Sequence, residues 1–173
     1  EDFYNAVDTI ISAKRIYIVG TRSAAALARF IAYYFNLMFE NARFINTAST
    51  SEMFEQIMRI EKGDVMIGIS FPRYSKQTAK ALSFAAGNGA KVVAITDSNN
   101  SPIAEYSTHT LIAKSDMASF VDSLVAPMSL INALIIAIGI KKQDEIKMNF
   151  EHLEDIWDKY DVYEKHNNEE IEV

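Results

Sequence analysis

Five short runs rich in isoleucine and valine recur along this chain, and none of them alternates apolar with polar residues: 16–19, 43–45, 65–69, 92–95 and 110–113. A strand with one wet face alternates with a period of two, whereas an unbroken apolar run needs cover on both faces. Between the runs lie stretches long enough for helices, at 23–40, 51–60 and 75–88. The fourth gap, 98–107, is shorter and carries Pro102, leaving room for one or two turns. Crossovers of this length connect strands that run in the same direction, because a tight hairpin can only reverse the chain. The pattern therefore predicts an α/β fold, doubly wound and flavodoxin-like, with a five-stranded parallel sheet in the order 2-1-3-4-5 and helices on both faces.

Helix boundaries are signalled by residue type. Ser23, Ser51 and Ser75 are candidate N-caps, and Gly87 and Gly89 sit where the third of these helices must stop. Phe3, Ala6, Val7, Ile10 and Ile11 share one helical face, which predicts a lead-in helix over 3–13. After the last strand comes a long apolar helix around 120–140, with Ser119 and Asp122 as capping candidates at its start. The part from 124 to 140 is almost continuously apolar, but it contains Pro127 and Asn132 and is short for a membrane span of about 20 residues. A core helix is the expectation. Leu153, Ile156, Trp157 and Tyr160 then recur at helical spacing among acidic residues and read as a docking face. The expected domain is 1–163, with helices over 119–163 at its end and a polar, acidic tail over 164–173.

The net charge of −6 is not spread evenly. Residues 1–140 carry 12 acidic and 12 basic side chains, and residues 141–173 carry 11 and 5. A neutral body with an acidic end is not the basic stripe that displaces counterions from nucleic acid, so any contact with DNA must be made outside this chain. With no cysteine there is no disulfide and no thiolate metal site. The missing cysteines and the lack of a basic-then-apolar leader point to the cytoplasm.

In doubly wound sheets, ligands bind beyond the carboxyl ends of the strands where the strand order reverses, here between the first and third strands. The loops after those two strands are unusual. Gly20-Thr21-Arg22-Ser23 leaves a strand and opens a helix, so its N–H groups and the helix dipole favour an anion. Ser70-Phe71-Pro72-Arg73-Tyr74-Ser75, with Thr78 one turn on, repeats the arrangement, again with hydroxyls around an arginine. Each loop alone reads as a turn with a cap, but two on neighbouring strands suggest the phosphate of a small polar ligand. Phe71 and Tyr74 are candidate pocket walls, and Asp97 is either a contact for ligand hydroxyls or a turn residue. Neither loop carries a Gly-x-Gly-x-x-Gly or a P-loop, so an NAD or nucleotide enzyme is not indicated. His109, His152 and His166 are scattered without metal-ligand spacing, and each reads as a surface or helix-end residue. No metal and no cofactor are expected.

These blocks together resemble a sugar isomerase (SIS) domain, and more narrowly the C-terminal effector domain of RpiR-type transcriptional regulators. The resemblance runs from about Val7 to Tyr163. It rests on Ile16-Tyr-Ile-Val-Gly-Thr-Arg-Ser23, Gly68-Ile-Ser-Phe-Pro-Arg-Tyr-Ser-Lys76 and Ala94-Ile-Thr-Asp97, and further on Phe120-Val-Asp-Ser-Leu-Val-Ala-Pro127 and Ile156-Trp-Asp-Lys-Tyr-Asp-Val-Tyr163. It implies a domain that binds a sugar phosphate and forms a homodimer or higher homo-oligomer, with a DNA-binding helix-turn-helix domain upstream of Glu1. In the general family pattern Ser-x-Ser-Gly-x-Thr, Ser70 keeps the first serine, Pro72 replaces the second, Arg73 replaces glycine and Ser75 replaces threonine. Ser23, Ser70 and Ser75 are then the foremost ligand contacts, followed by Thr21, Arg22, Arg73 and Thr78.

The leading expectation is a non-catalytic phosphosugar sensor of a bacterial transcriptional regulator. Its dimer element would be the helix around 120–140, with the lead-in helix beside it. The alternative is a free-standing aldose–ketose isomerase, which needs a base beside the carbonyl; Glu52 and His109 are the candidates. A dimerisation module with a decayed site is the third reading.

Overall fold

The structure, a computed structural model, describes residues 2–118 and 120–163. Strands β1 (Ile16–Gly20), β2 (Ala42–Ile45), β3 (Val65–Ile69), β4 (Lys91–Thr96) and β5 (His109–Ile112) form a parallel sheet in the order β2-β1-β3-β4-β5. The fold class and strand order match the expectation. Successive side chains leave a strand on opposite faces, and both faces are covered. Ile16, Ile18, Val65, Ile67, Val93 and Ile95 pack against α1 (Asp2–Ile11), α2 (Ala24–Met38) and α5 (Val125–Lys141). Tyr17, Val19, Met66, Val92 and Ala94 pack against α3 (Thr50–Ile57) and α4 (Lys76–Gly87). Between β4 and β5 the chain makes only a 3-10 turn, Ala104–Tyr106, as the short gap with Pro102 allows.

Two glycines let helices close on the sheet. A Cβ at Gly20 would lie 2.7 Å from the Ala24 carbonyl oxygen and 3.1 Å from the Ala28 Cβ, so the end of β1 meets the start of α2 without a side chain between them. Gly89, at φ +78°, donates to the Ala86 carbonyl and ends α4 where the sequence indicated.

Several boundaries differ from the sequence reading. The apolar helix starts at Val125, not near 120, with Leu124 at its cap position, so Asp122 does not cap it. Residue 119 lies outside the described residues, and Asp122 belongs to a small antiparallel hairpin of β6 (Met117–Ala118) and β7 (Val121–Asp122). Pro127 explains the shift: deep inside a helix its ring would strike the carbonyl of residue 123, but in the first turn it costs nothing. The cap of α3 is Ser49 rather than Ser51: its Oγ accepts from the Glu52 N–H at 3.4 Å. The Ser49-x-x-Glu52 spacing is a capping signature, although the Glu52 carboxylate turns to the Thr47 hydroxyl instead. Ser23 makes no capping bond at the start of α2.

α5 is apolar all round and buries only one face, through Pro127, Ile131, Leu134 and Ile138. Val125, Ile136 and Ile140 remain exposed on the other. At Lys142 the chain bends by 98° into α6 (Gln143–Lys159). α6 buries no residue fully; Ile146, Phe150, Leu153 and Trp157 are half-buried, while Ile156 and Tyr160 stay exposed. No single helix among the described residues is long and apolar enough to cross a membrane. His166 and the 164–173 tail lie outside the described residues.

Two polar clamps tie the amino ends of the elements together. Arg15, just before β1, donates from Nε and Nη2 to the two oxygens of Asp64, just before β3, at 3.0 and 2.8 Å. Asp64 is fully buried and also accepts the Glu61 N–H at 2.9 Å. The Asp64 hydrogen bond holds the Arg15 guanidinium above its ordinary value, against a smaller opposing effect of burial. Removing one partner of a buried pair strands the other charge, at about 3 kcal/mol. Arg15→Ala is therefore expected to lower unfolding stability by about that amount in urea titration, whereas Lys147→Ala, at an exposed α6 ion pair, should change it by less than about 0.5 kcal/mol.

The second clamp corrects the reading of His109, which is neither a helix-end nor a free surface residue. It opens β5, with Nε2 3.0 Å from the Thr9 hydroxyl and Nδ1 2.8 Å from the Asp2 carboxylate; the Thr110 N–H also donates to Asp2 at 3.0 Å. Burial pushes the Asp2 carboxyl up, but the bonds from His109 and Thr110 outweigh it and leave it below its ordinary value. A depressed carboxyl stabilises the fold above the unfolded pKa near 3.9, and that contribution fades as pH falls through the folded value. Asp2→Asn is thus expected to lower the melting temperature at pH 7, with the gap to the parent protein closing below about pH 4. A gap independent of pH would assign the effect to packing.

Candidate functional site

β1 has β2 on one side and β3 on the other, so the strand order reverses there and the loops beyond β1 and β3 diverge. A cleft of about 240 Å³ opens between them. The first loop lines it with Thr21, Arg22, Ser23 and Ala24, and the second with Ser70, Phe71, Pro72, Arg73 and Ser75. Six of the seven residues singled out in the sequence therefore line one cleft. The seventh, Thr78, is fully buried behind it, with its hydroxyl 3.4 Å from that of Thr21.

The β3 loop is organised by its own serines. The Ser70 Oγ accepts the Ser75 N–H at 3.0 Å, and the Ser75 Oγ accepts the Thr78 N–H at 3.2 Å as the N-cap of α4. A serine hydroxyl that accepts still has its own hydrogen to donate, so both can hold the turn and address a ligand. Among the described residues, the N–H groups of Lys76 and Gln77 have no backbone acceptor, and the positive end of the α4 dipole lies beside the cleft. Phe71, buried, forms part of the wall. Tyr74 does not: its hydroxyl donates to Asp97 at 2.8 Å, away from the cleft lining, and Asp97 also accepts from the Thr96 hydroxyl at 3.3 Å. Burial first, and then the Asp97 bond, push the Tyr74 phenol up from its ordinary value.

Arg22 and Arg73 share a feature that composition does not reveal. Both have left-handed backbones, with φ of 57° and 61°, although neither is glycine. That conformation costs an L-residue roughly 1–2 kcal/mol, and in each loop it occurs between the strand and the helix that follows. Glycine would adopt it without that cost. Both strained backbones line one cleft, and outliers of this kind cluster at functional sites.

Asp122 was missed as a member of the site. It arrives from β7, lines the same cleft and accepts the Ser23 hydroxyl at 2.9 Å. The hydroxyl of Ser23 thus serves the cleft instead of capping α2. No spacing rule joins Ser23 to a residue 99 positions away. A second cleft, of about 310 Å³, lies on the other side of Thr21 and Arg22 and is lined also by Asn46, Thr47 and Gln77.

Neither candidate base lines the cleft between the two arginine loops. Glu52 is exposed in α3 and bonded to Thr47. His109 opens β5 at the far edge of the sheet, at the end opposite the cleft. Among the described residues, no group of three or more His, Asp or Glu side chains is placed to hold a metal ion.

The family model for the SIS domain matches residues 9–137, from α1 through most of α5. The chain belongs to the SIS domain family. An uncharacterized HTH-type transcriptional regulator, TTE0211 of Caldanaerobacter subterraneus subsp. tengcongensis, is 25% identical over 162 residues, covering 90% of this chain and 56% of that protein. This SIS domain thus spans about half the length of that relative. The sugar isomerase domain of an RpiR transcription factor from Sphaerobacter thermophilus superposes with a TM-score of 0.83 at 25% identity, over 88% of this chain and 85% of that one. The Vibrio vulnificus NanR protein, in complex with ManNAc-6P, has the same fold, with a TM-score of 0.78 at 19% identity over 92% and 61% of the two chains.

The strained arginine of the second loop provides a direct test. Arg73→Gly suits the backbone and is expected to keep stability or raise it by up to about 1 kcal/mol. Arg73→Val, β-branched at positive φ, should lower it. Paired thermal melts of the two variants read the difference.

Proposed function

We propose that this SIS domain is the phosphosugar-sensing, non-catalytic part of a bacterial transcriptional regulator working in the cytoplasm. The carrying observation is the pair of strand-to-helix loops that bring two arginines and four hydroxyl side chains to one small cleft at the switch point. Such a set of donors suits a phosphate: the guanidinia supply directional charge, the hydroxyls short bonds, and the start of α4 a favourable dipole. Thr21, Arg22, Ser23, Ser70, Arg73 and Ser75 are the proposed contacts, and Thr78 supports them from behind. The likeness to an HTH-type regulator and to an RpiR effector domain supports the regulatory reading, and NanR bound to ManNAc-6P supports the ligand class.

DNA would be contacted by a helix-turn-helix domain outside this chain, in keeping with a body that has no net charge over 1–140. The sensor would act as a homo-oligomer through the exposed face of α5, where Val125, Ile136 and Ile140 lack cover. An aldose–ketose isomerase on the same fold would need a base at the sugar carbonyl. The two residues that suggested one are engaged elsewhere, Glu52 with Thr47 and His109 with Asp2 and Thr9.

A proton NMR screen against hexose, pentose and amino-sugar phosphates tests the reading. One class of compound is expected to broaden selectively, without product signals, and to lose that broadening in Arg73→Gly. Arg73→Gly is a cleaner probe than Ser75→Ala, which also removes the α4 cap at a cost of about 1 kcal/mol. Product signals that grow with time would replace the sensor with an isomerase. No broadening by any compound would leave a dimerisation module.

A further inference from the structure

Apart from Asp122, the polar side chains lining the cleft are those of arginine, serine and threonine. A site for an anion that carries no hydrogen has no use for a carboxylate: at such short range it repels the anion and offsets part of what the arginines contribute. Yet Asp122 is held in place. The Ser23 hydroxyl donates to its Oδ2 at 2.9 Å. The base of its hairpin is closed by the Ser123 N–H donating to the Asp116 carbonyl at 3.2 Å and by the Ser115 hydroxyl donating to the Ser123 carbonyl at 3.1 Å. No protein donor reaches the other oxygen, Oδ1, among the described residues. The site therefore presents one oriented, charged acceptor with an unused lone-pair face amid a set of donors.

We propose that Asp122 is the specificity-determining acceptor of this site, taking a hydrogen bond from a ligand hydroxyl or amine and so selecting a hydroxylated phosphate ester over a bare oxyanion. The inference rests on the phosphosugar reading and deepens it. Sulfate, which carries no hydrogen at neutral pH, meets Asp122 only as a repulsion. A sugar phosphate places its anionic end against Arg22, Arg73 and Ser70 and turns a hydroxyl hydrogen to Oδ1. At about 240 Å³ the cleft lies below the usual range of small-molecule pockets, roughly 300–1,000 Å³, so a ligand that engages both loops also comes within reach of Asp122. A site built to bond a substrate hydroxyl discriminates strongly against the analogue that lacks it, because its own polar group is left unpaired.

The test is calorimetric titration of the parent chain and of Asp122→Ala with two probes: inorganic sulfate and the tightest-binding sugar phosphate of the NMR panel. The affinity ratio of sugar phosphate to sulfate is expected to fall by about tenfold or more in Asp122→Ala, with sulfate binding unchanged or tightened. Asp122→Asn serves as a second variant should alanine loosen the hairpin; it removes the charge that strengthens the bond and should lower the ratio in the same direction by a smaller factor. An unchanged ratio, or equal tightening of both probes, would overturn the proposal and leave the phosphosugar reading standing. Failure of the parent chain to bind any sugar phosphate would overturn both.

Discussion

β1 is buried along its whole length, and every other part of the molecule is arranged around that fact. A parallel strand without an exposed residue needs a neighbour on each side and helices above and below. β2 and β3 supply the neighbours, α1, α2 and α5 cover one face, and α3 and α4 cover the other. Because β2 and β3 leave β1 in opposite directions across the sheet, the loops at its carboxyl end have to part. The cleft is a consequence of strand order, and Gly20 allows α2 to start close enough to form its wall.

The two ends of the sheet divide the work. At the amino end, Arg15 with Asp64 and His109 with Asp2 and Thr9 satisfy buried or half-buried charge with protein partners. At the carboxyl end the polar groups are only partly paired, and two arginines sit in a backbone conformation that glycine would adopt more easily. Stability is concentrated where the ion pairs are closed and given up where the donors are open. His109 shows how position decides role: the same imidazole beside the cleft would be a credible base, but at the start of the edge strand it is a clamp.

The hairpin before α5 connects the cleft to the exposed apolar surface. Asp122 reaches Ser23 in the cleft, and three residues later the chain enters α5, with Phe120, 84% exposed, at the hairpin tip and Ile136 and Ile140 farther along. A ligand that bonds both arginine loops and Asp122 would therefore be joined, through a few residues of backbone, to the helix face available for a second copy. That short path suits a sensor, in which occupancy must bias an assembly by binding its two states unequally.

The strand positions, the parallel sheet, the strand order and both arginine loops were legible in the sequence, because each is written in local terms: unalternating Ile and Val runs, crossover lengths, and hydroxyls after a strand. Six candidate residues converged on one cleft for the same reason, since topology alone brings the ends of β1 and β3 together. What tertiary structure decided was pairing at a distance. Ser23 had the look of an N-cap, and only the fold shows its hydroxyl turned to Asp122, 99 residues on. The start of the apolar helix moved to Val125 because Pro127 fits only in a first turn. His109 found partners in Asp2 and Thr9, at the other end of the chain, that no spacing announces. Burial follows a period along the chain and can be read from it, whereas the direction in which a polar side chain satisfies its bonds depends on neighbours that exist only once the sheet has closed.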